Sequence, residues 1–231
     1  MVTNRSDFVN QLTDQIGPTD SGLYLRPFVS DGLPSECPVV FIGYNAATAI
    51  PVSEIDKNEY CGLLLDRPRF EEFYSDYRMR RKQAEGKRPQ QLSTTRKRLG
   101  IIREAYTGQR IIETNLNSYP TKDVSALKKL PTKQFQLGQQ VSEWVFHQLS
   151  PSVILLYGDE FKIPQDFSGV EMKILTSPKD IHEWVTVYPL VSWMDKEVKM
   201  FWIKRHLAAR GSGINDELFR GIGKICADWN G

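Results

Sequence analysis

The chain reads as an α/β protein, a three-layer α/β/α sandwich around a mainly parallel four- to five-stranded sheet. The runs Val39-Val40-Phe41-Ile42 and Val153-Ile154-Leu155-Leu156 are uninterrupted and apolar, like strands buried on both faces of a parallel sheet. Helix-length segments separate such runs, which is the spacing of βαβ units with right-handed crossovers. Each run also stops at glycine or polar residues, Gly43-Tyr44-Asn45 after the first and Tyr157-Gly158 after the other. A length of 231 residues fits one such domain, with an N-terminal helix and lead-in over residues 1–36.

In chain order, residues 6–16 carry Phe8, Val9, Leu12 and Ile16 at helical spacing, with Ser6 as N-cap. Residues 17–38, rich in Gly, Pro, Ser and Asp, form an irregular lead-in. The first strand feeds a loop over 44–48, where Gly43 would supply a positive φ and Asn45 would tolerate one. Residues 48–69 show no clean period, and Pro51 and Pro68 interrupt them. Phe70, Phe73, Tyr74 and Tyr77 fall at i, i+3, i+4 and i+7 of a helix that faces the core. A second helix is expected from about 93 to 106, after an exposed loop at 86–91. Residues 110–115 make a short strand ending at Asn115, and 131–149 make a helix. A third strand over 151–158 and a fourth over 170–175 follow. Extended segments at 186–193 and 198–204 pair as a hairpin around Met194-Asp195-Lys196, and a helix over 215–229 closes the chain.

Composition narrows the function classes. No apolar run approaches the roughly 20 residues of a membrane span, and the polar N-terminus lacks a signal-peptide core, so a soluble, cytoplasmic protein is expected. Cys37, Cys61 and Cys226 are an odd number with no Cys-x-x-Cys pair, which argues against a disulfide framework and an iron–sulfur cluster. No phosphate-binding glycine loop or metal-binding histidine pattern is present. The net charge of +2 says little, but its distribution says more. Arg78, Arg80, Arg81, Lys82, Lys87, Arg88, Arg96, Lys97 and Arg98 are opposed only by Glu85, a block able to neutralise several phosphates. Aromatics beside cations also suit base stacking, and Phe73, with Phe70 as the alternative, is the candidate ring.

Ligands bind beyond the carboxyl ends of strands in open α/β sheets, so Tyr44, Asn45 and Asn115 stand where a site is expected. Gly43-Tyr44-Asn45 after the first strand, Asn115 in Glu113-Thr114-Asn115-Leu116 after the second, and His206 before the last helix resemble the uracil-DNA glycosylase superfamily. In that superfamily the first loop reads G-Q-D-P-Y-H or G-x-N-P, and its third residue positions the attacking water. The resemblance implies this role for Asn45, base recognition for Asn115 with Gly43, Tyr44 and Ala47 around it, and leaving-base stabilisation for His206. It implies that Arg210 fills the gap left in the duplex, with Ser212 beside it on the DNA. The chain departs from the pattern at Ala46, where the family has proline, and in the last loop, which lacks two prolines. Ala47 replaces the tyrosine that blocks C5 substituents in the uracil-specific branch, which implies tolerance of C5-modified pyrimidines.

These residues suit breaking an N-glycosidic bond. Asn45 offers a carbonyl oxygen that orients water but no carboxylate to act as a general base. Catalysis would then rest on the leaving base, stabilised by His206 as neutral donor or imidazolium. Asn115 offers both a donor and an acceptor to a pyrimidine edge. His182 is the reserve histidine, His147 is structural, and Asp56, Asp66 and Glu113 are expected in surface or pairing roles. The expected partner is DNA, held by Arg78, Arg80, Arg81 and Lys82, with a monomeric protein and no metal or other cofactor. A non-catalytic nucleic-acid-binding module is the competing function.

Overall fold

The computed structural model describes residues 4–46, 49–88, 92–163, 165–167, 169–208 and 214–229. Helix α1 (Arg5–Gln15) opens the chain and buries Phe8 and Leu12. Its N-cap is Asn4, whose side chain accepts from the Asp7 N–H, so the cap lies two residues before the expected Ser6. The lead-in is more ordered than its composition suggests. It holds β1 (Leu23–Tyr24) and β2 (Phe28–Ser30).

The first long strand, β3 (Val39–Asn45), continues beyond the expected stop at Gly43. β4 (Ile50–Pro51) pairs with β1 in a separate two-stranded sheet. Residues 48–69, which show no period, contain α2 (Lys57–Leu64), capped by Asp56. Its eight residues are too few for a period to show against polar neighbours. Asp66 caps α3 (Arg67–Ala84), and Pro68 falls in its first turn, where the missing N–H costs nothing. α4 (Thr94–Arg103) is capped by Ser93 and leads to β5 (Ile111–Asn117). The short α5 (Val124–Lys128) and then α6 (Thr132–Phe146) precede β6 (Val153–Tyr157). β7 (Met172–Ile174), β8 (Lys179–His182), β9 (Val185–Trp193), β10 (Lys196–Ile203) and α7 (Asp216–Asp228) complete the order.

The sheet is α/β as expected but larger and mixed. Eight strands take the order β2-β5-β3-β6-β10-β9-β7, with β8 also on β9. Parallel pairing is confined to the central β5, β3, β6 and β10. β2 adds antiparallel to β5, and β9 to β10, while β7 and β8 both pair antiparallel with β9. The extra strands come from the lead-in and from the expected hairpin, whose turn holds Met194 and Asp195 at φ 48° and 63°. β7 meets the sheet only through β9, and because β9 is reversed relative to β10, β7 runs in the same direction as β6.

Successive β3 residues face opposite sides. Val40 and Ile42 join one apolar core with α1, α2, α3 and α6, while Val39 and Phe41 join another with α4 and α7. Helices therefore cover both faces. From β3 the chain crosses to β5 on one side and later to β6 on the other, so the strand order reverses between β3 and β6. Such a reversal opens a crevice at the carboxyl ends.

Candidate functional site

A cleft of about 530 Å³ lies at that reversal, lined by Tyr44 and Asn45 of β3, Asn115 of β5, Tyr157 of β6 and His206 beyond β10. Gly43 lies inside β3 and has no positive φ. Its role is steric. A Cβ there would stand 2.5 Å from the Tyr157 hydroxyl and 2.8 Å from Asn115 Oδ1. Burial, reinforced by the nearby Glu113 carboxylate, raises the Tyr157 pKa and keeps it a neutral phenol.

A short relay fixes the orientation of the Asn45 amide. Thr121 Oγ1 donates to the Asp123 carbonyl (3.0 Å), so it accepts from Asn45 Nδ2 (3.1 Å), which also meets the Thr121 carbonyl (3.3 Å). The Asn45 carbonyl oxygen is thereby left to a ligand. The Ala46 backbone is tied on both sides. Its N–H donates to the Asn117 carbonyl (3.3 Å) and its carbonyl accepts from the Thr121 N–H (2.9 Å). Asn115 is 9% exposed, and its amide makes no side-chain hydrogen bond among the described residues. His206 Nδ1 accepts from the Ala208 N–H (3.0 Å), so the neutral ring carries its proton on Nε2.

The wall from β2, α3 and α4 is rich in arginine. The guanidinium carbons of Arg26, Arg78 and Arg96 lie 5.7, 5.8 and 5.1 Å from the centre of the Tyr74 ring. Beneath them Arg96 donates to Glu113 (3.2 Å), and Arg103 donates to both Glu113 and Glu71 (2.8 Å to the latter). Glu113 is 6% exposed, so β5 is joined to α3 and α4 by a largely buried ionic cluster. A second groove of about 270 Å³ holds Arg81, Lys82, Pro120 and Thr121, and shares Arg78 and Lys122 with the cleft. A continuous basic track results.

Of the residues singled out by sequence, Tyr44, Asn45, Arg78, Asn115 and His206 line the cleft, and Gly43 lies against the lining residues Tyr157 and Asn115. Arg81 and Lys82 line the groove. Phe73 lines neither. Its ring stacks on Tyr77 at 6.4 Å, and the cleft ring on this helix is Tyr74. Arg80 is exposed, pairs with Glu54 (3.2 Å) and lines neither cavity. Ala47, Arg210 and Ser212 lie outside the described residues. Asp56 and Asp66 cap helices, His147 ends α6, and His182 Nδ1 accepts from the Trp184 N–H (3.1 Å) away from the cleft.

Sequence reasoning missed Arg26, Tyr157, Thr121 and Lys122. Tyr157 ends its buried strand as Asn45 does, but an aromatic side chain there carries no polar signal in the sequence. Arg26 stands between Leu23-Tyr24-Leu25 and Phe28-Val29, a cation within apolar residues. Among the described residues no cluster of His, Cys, Asp or Glu could hold a metal ion, and no helix is long and apolar enough to cross a membrane. No protein-family model matches the chain, and no curated protein matches its sequence.

Proposed function

We propose that this protein is a DNA glycosylase, a divergent member of the uracil-DNA glycosylase superfamily, that hydrolyses the N-glycosidic bond of a flipped pyrimidine. The observation that carries this reading is the Asn45 amide, locked by Thr121 with its carbonyl oxygen available, in one cleft with Asn115 and His206. The bond breaks through an oxocarbenium-like transition state, with positive charge on the sugar and negative charge on the departing base. Asn45 Oδ1 orients the water, Asn115 reads the base edge, and the His206 Nε2–H stabilises the leaving base. Flipping costs a few kcal/mol, which phosphate contacts along Arg78, Arg81, Lys82 and Lys122 offset.

The preferred substrate is a C5-modified pyrimidine, such as the hypermodified cytosine of phage DNA, with uracil as the simpler one. Two features support it. Position 47 is alanine, and a cleft of about 530 Å³ exceeds what a bare pyrimidine fills. Such a substrate fits a monomeric cytoplasmic enzyme of antiphage defence that needs no cofactor.

Mass spectrometry of free bases released from DNAs carrying uracil, thymine mismatches, and hydroxymethylated or glucosylated cytosine tests activity and substrate together. The modified cytosines are expected among the products. Asn45→Ala should lower release by about a hundredfold or more while DNA affinity is retained. Excision of uracil alone would overturn the substrate assignment. DNA binding without release of any base would leave a non-catalytic nucleic-acid-binding module.

A further inference from the structure

Four guanidiniums, Arg26, Arg78, Arg96 and Arg103, stand on or beneath one wall of the cleft, against two carboxylates, Glu71 and Glu113. Both carboxylates are taken by Arg96 and Arg103. Arg26 and Arg78 have no ion pair among the described residues, although both lie close to the Tyr74 ring. Arg26 is only 7% exposed, and its Nη1 is buried without a hydrogen-bond partner, as is Nε of Arg78. An arginine cannot shed its proton to escape burial, and a buried N–H without an acceptor is rare in native proteins. The first turn of α4 opens on the same wall through Ser93 and Thr95, adding the positive end of a ten-residue helix.

We propose that Arg26 and Arg78 form an oxyanion subsite whose ligand is a phosphate group. Two guanidinium forks and a helix N-terminus supply more donors than a carboxylate accepts, and they match the several oxygens of phosphate. Continuity with the groove of Arg81 and Lys82 suits a phosphate within a polyanion. In its nucleic-acid form the proposal rests on the glycosylase reading and names the group that anchors the substrate. The subsite itself requires only an oxyanion.

The test is thermal unfolding at constant ionic strength with inorganic phosphate, a deoxynucleoside monophosphate, or a short single-stranded oligodeoxynucleotide. A ligand that binds only the folded state raises the Tm of the wild type. Stabilisation by all three would assign the subsite to free and esterified phosphate alike, and stabilisation by the oligonucleotide alone would assign it to a backbone phosphodiester. Arg26→Met and Arg78→Gln should each weaken the effective ligand by roughly tenfold or more. Without ligand, Arg26→Met should unfold at or above the wild-type temperature, because an unpaired buried cation has been removed. Arg78 is less buried and provides a second variant should Arg26→Met not fold.

The proposal is overturned if none of the three ligands stabilises the wild type, or if both variants keep the wild-type shift. Failure of base release with phosphate binding intact would remove the proposed function and leave the subsite. Base release with unchanged substrate affinity in both variants would do the reverse.

Discussion

Gly43 permits the close approach of two side chains from the two neighbouring strands. Its missing Cβ lets the Tyr157 hydroxyl and Asn115 Oδ1 come beneath the strand that carries Asn45. Gly43→Ala should therefore push both groups out of place, at about 1–3 kcal/mol of overpacking. A lowered urea midpoint together with lost base release is the expected result, and unchanged values of both would refute the steric role. Asn45 and Asn115 were legible in the sequence because a polar residue following an apolar run has little to do in a core, although β5 continues two residues past the expected end at Asn115. Tyr157 was not, since an aromatic before a glycine reads as packing. That Tyr74 lines the cleft, and not Phe73 or Phe70, has a geometric reason. Consecutive helical residues differ by about 100° in direction, and an i, i+3, i+4, i+7 pattern places the stripe without saying which edge of it meets a cavity.

Among the elements, β5 does more than contribute Asn115. Glu113 alternates to the opposite face of the strand from Thr114 and binds Arg96 and Arg103, so one carboxylate joins the strand to α4 and, through Glu71, to α3. Glu113→Gln leaves two arginines short of a counter-charge and should destabilise the fold by about 3–5 kcal/mol, measured by urea denaturation. A loss below about 1 kcal/mol would show that the cluster is solvated like a surface pair. The long strands and helices were legible from period and apolar runs. α2 and β8 were not, because α2 is short and Lys179-Asp180-Ile181-His182 has neither a β-branched run nor a clean alternation. β8 exists because β9 offers it an edge, which is a tertiary fact.

For the whole molecule, burial sets an alkaline limit. Cys37 and Cys226 are pushed from the ordinary 9.0 up to about 12 by burial, and Cys61, Tyr60 and Tyr106 are raised for the same reason. Folded values above unfolded ones mean that these groups leave stability intact below about pH 9 and withdraw it as the pH rises toward 12. The urea midpoint should fall steadily across that window. The three buried thiols should resist alkylation at pH 8 until the chain unfolds. Rapid labelling of the native protein would contradict the burial. Mixed strand direction was the part of the architecture least legible in advance, because pairing at both ends of the sheet depends on segments that carry no helix.

The ionic cluster at Glu113 also makes the two sides of the cleft unequal. The side built from β5, α3 and α4 is cross-tied by charge, so it acts as a fixed jaw. Residues 122–125, Glu160 and His206 also line the cleft, and no ion pair among the described residues ties them to that cluster. Ligands that differ in width should therefore be accommodated by substitution at those residues rather than within the charged cluster. Variants selected for a new substrate should gather there and spare Arg96 and Arg103.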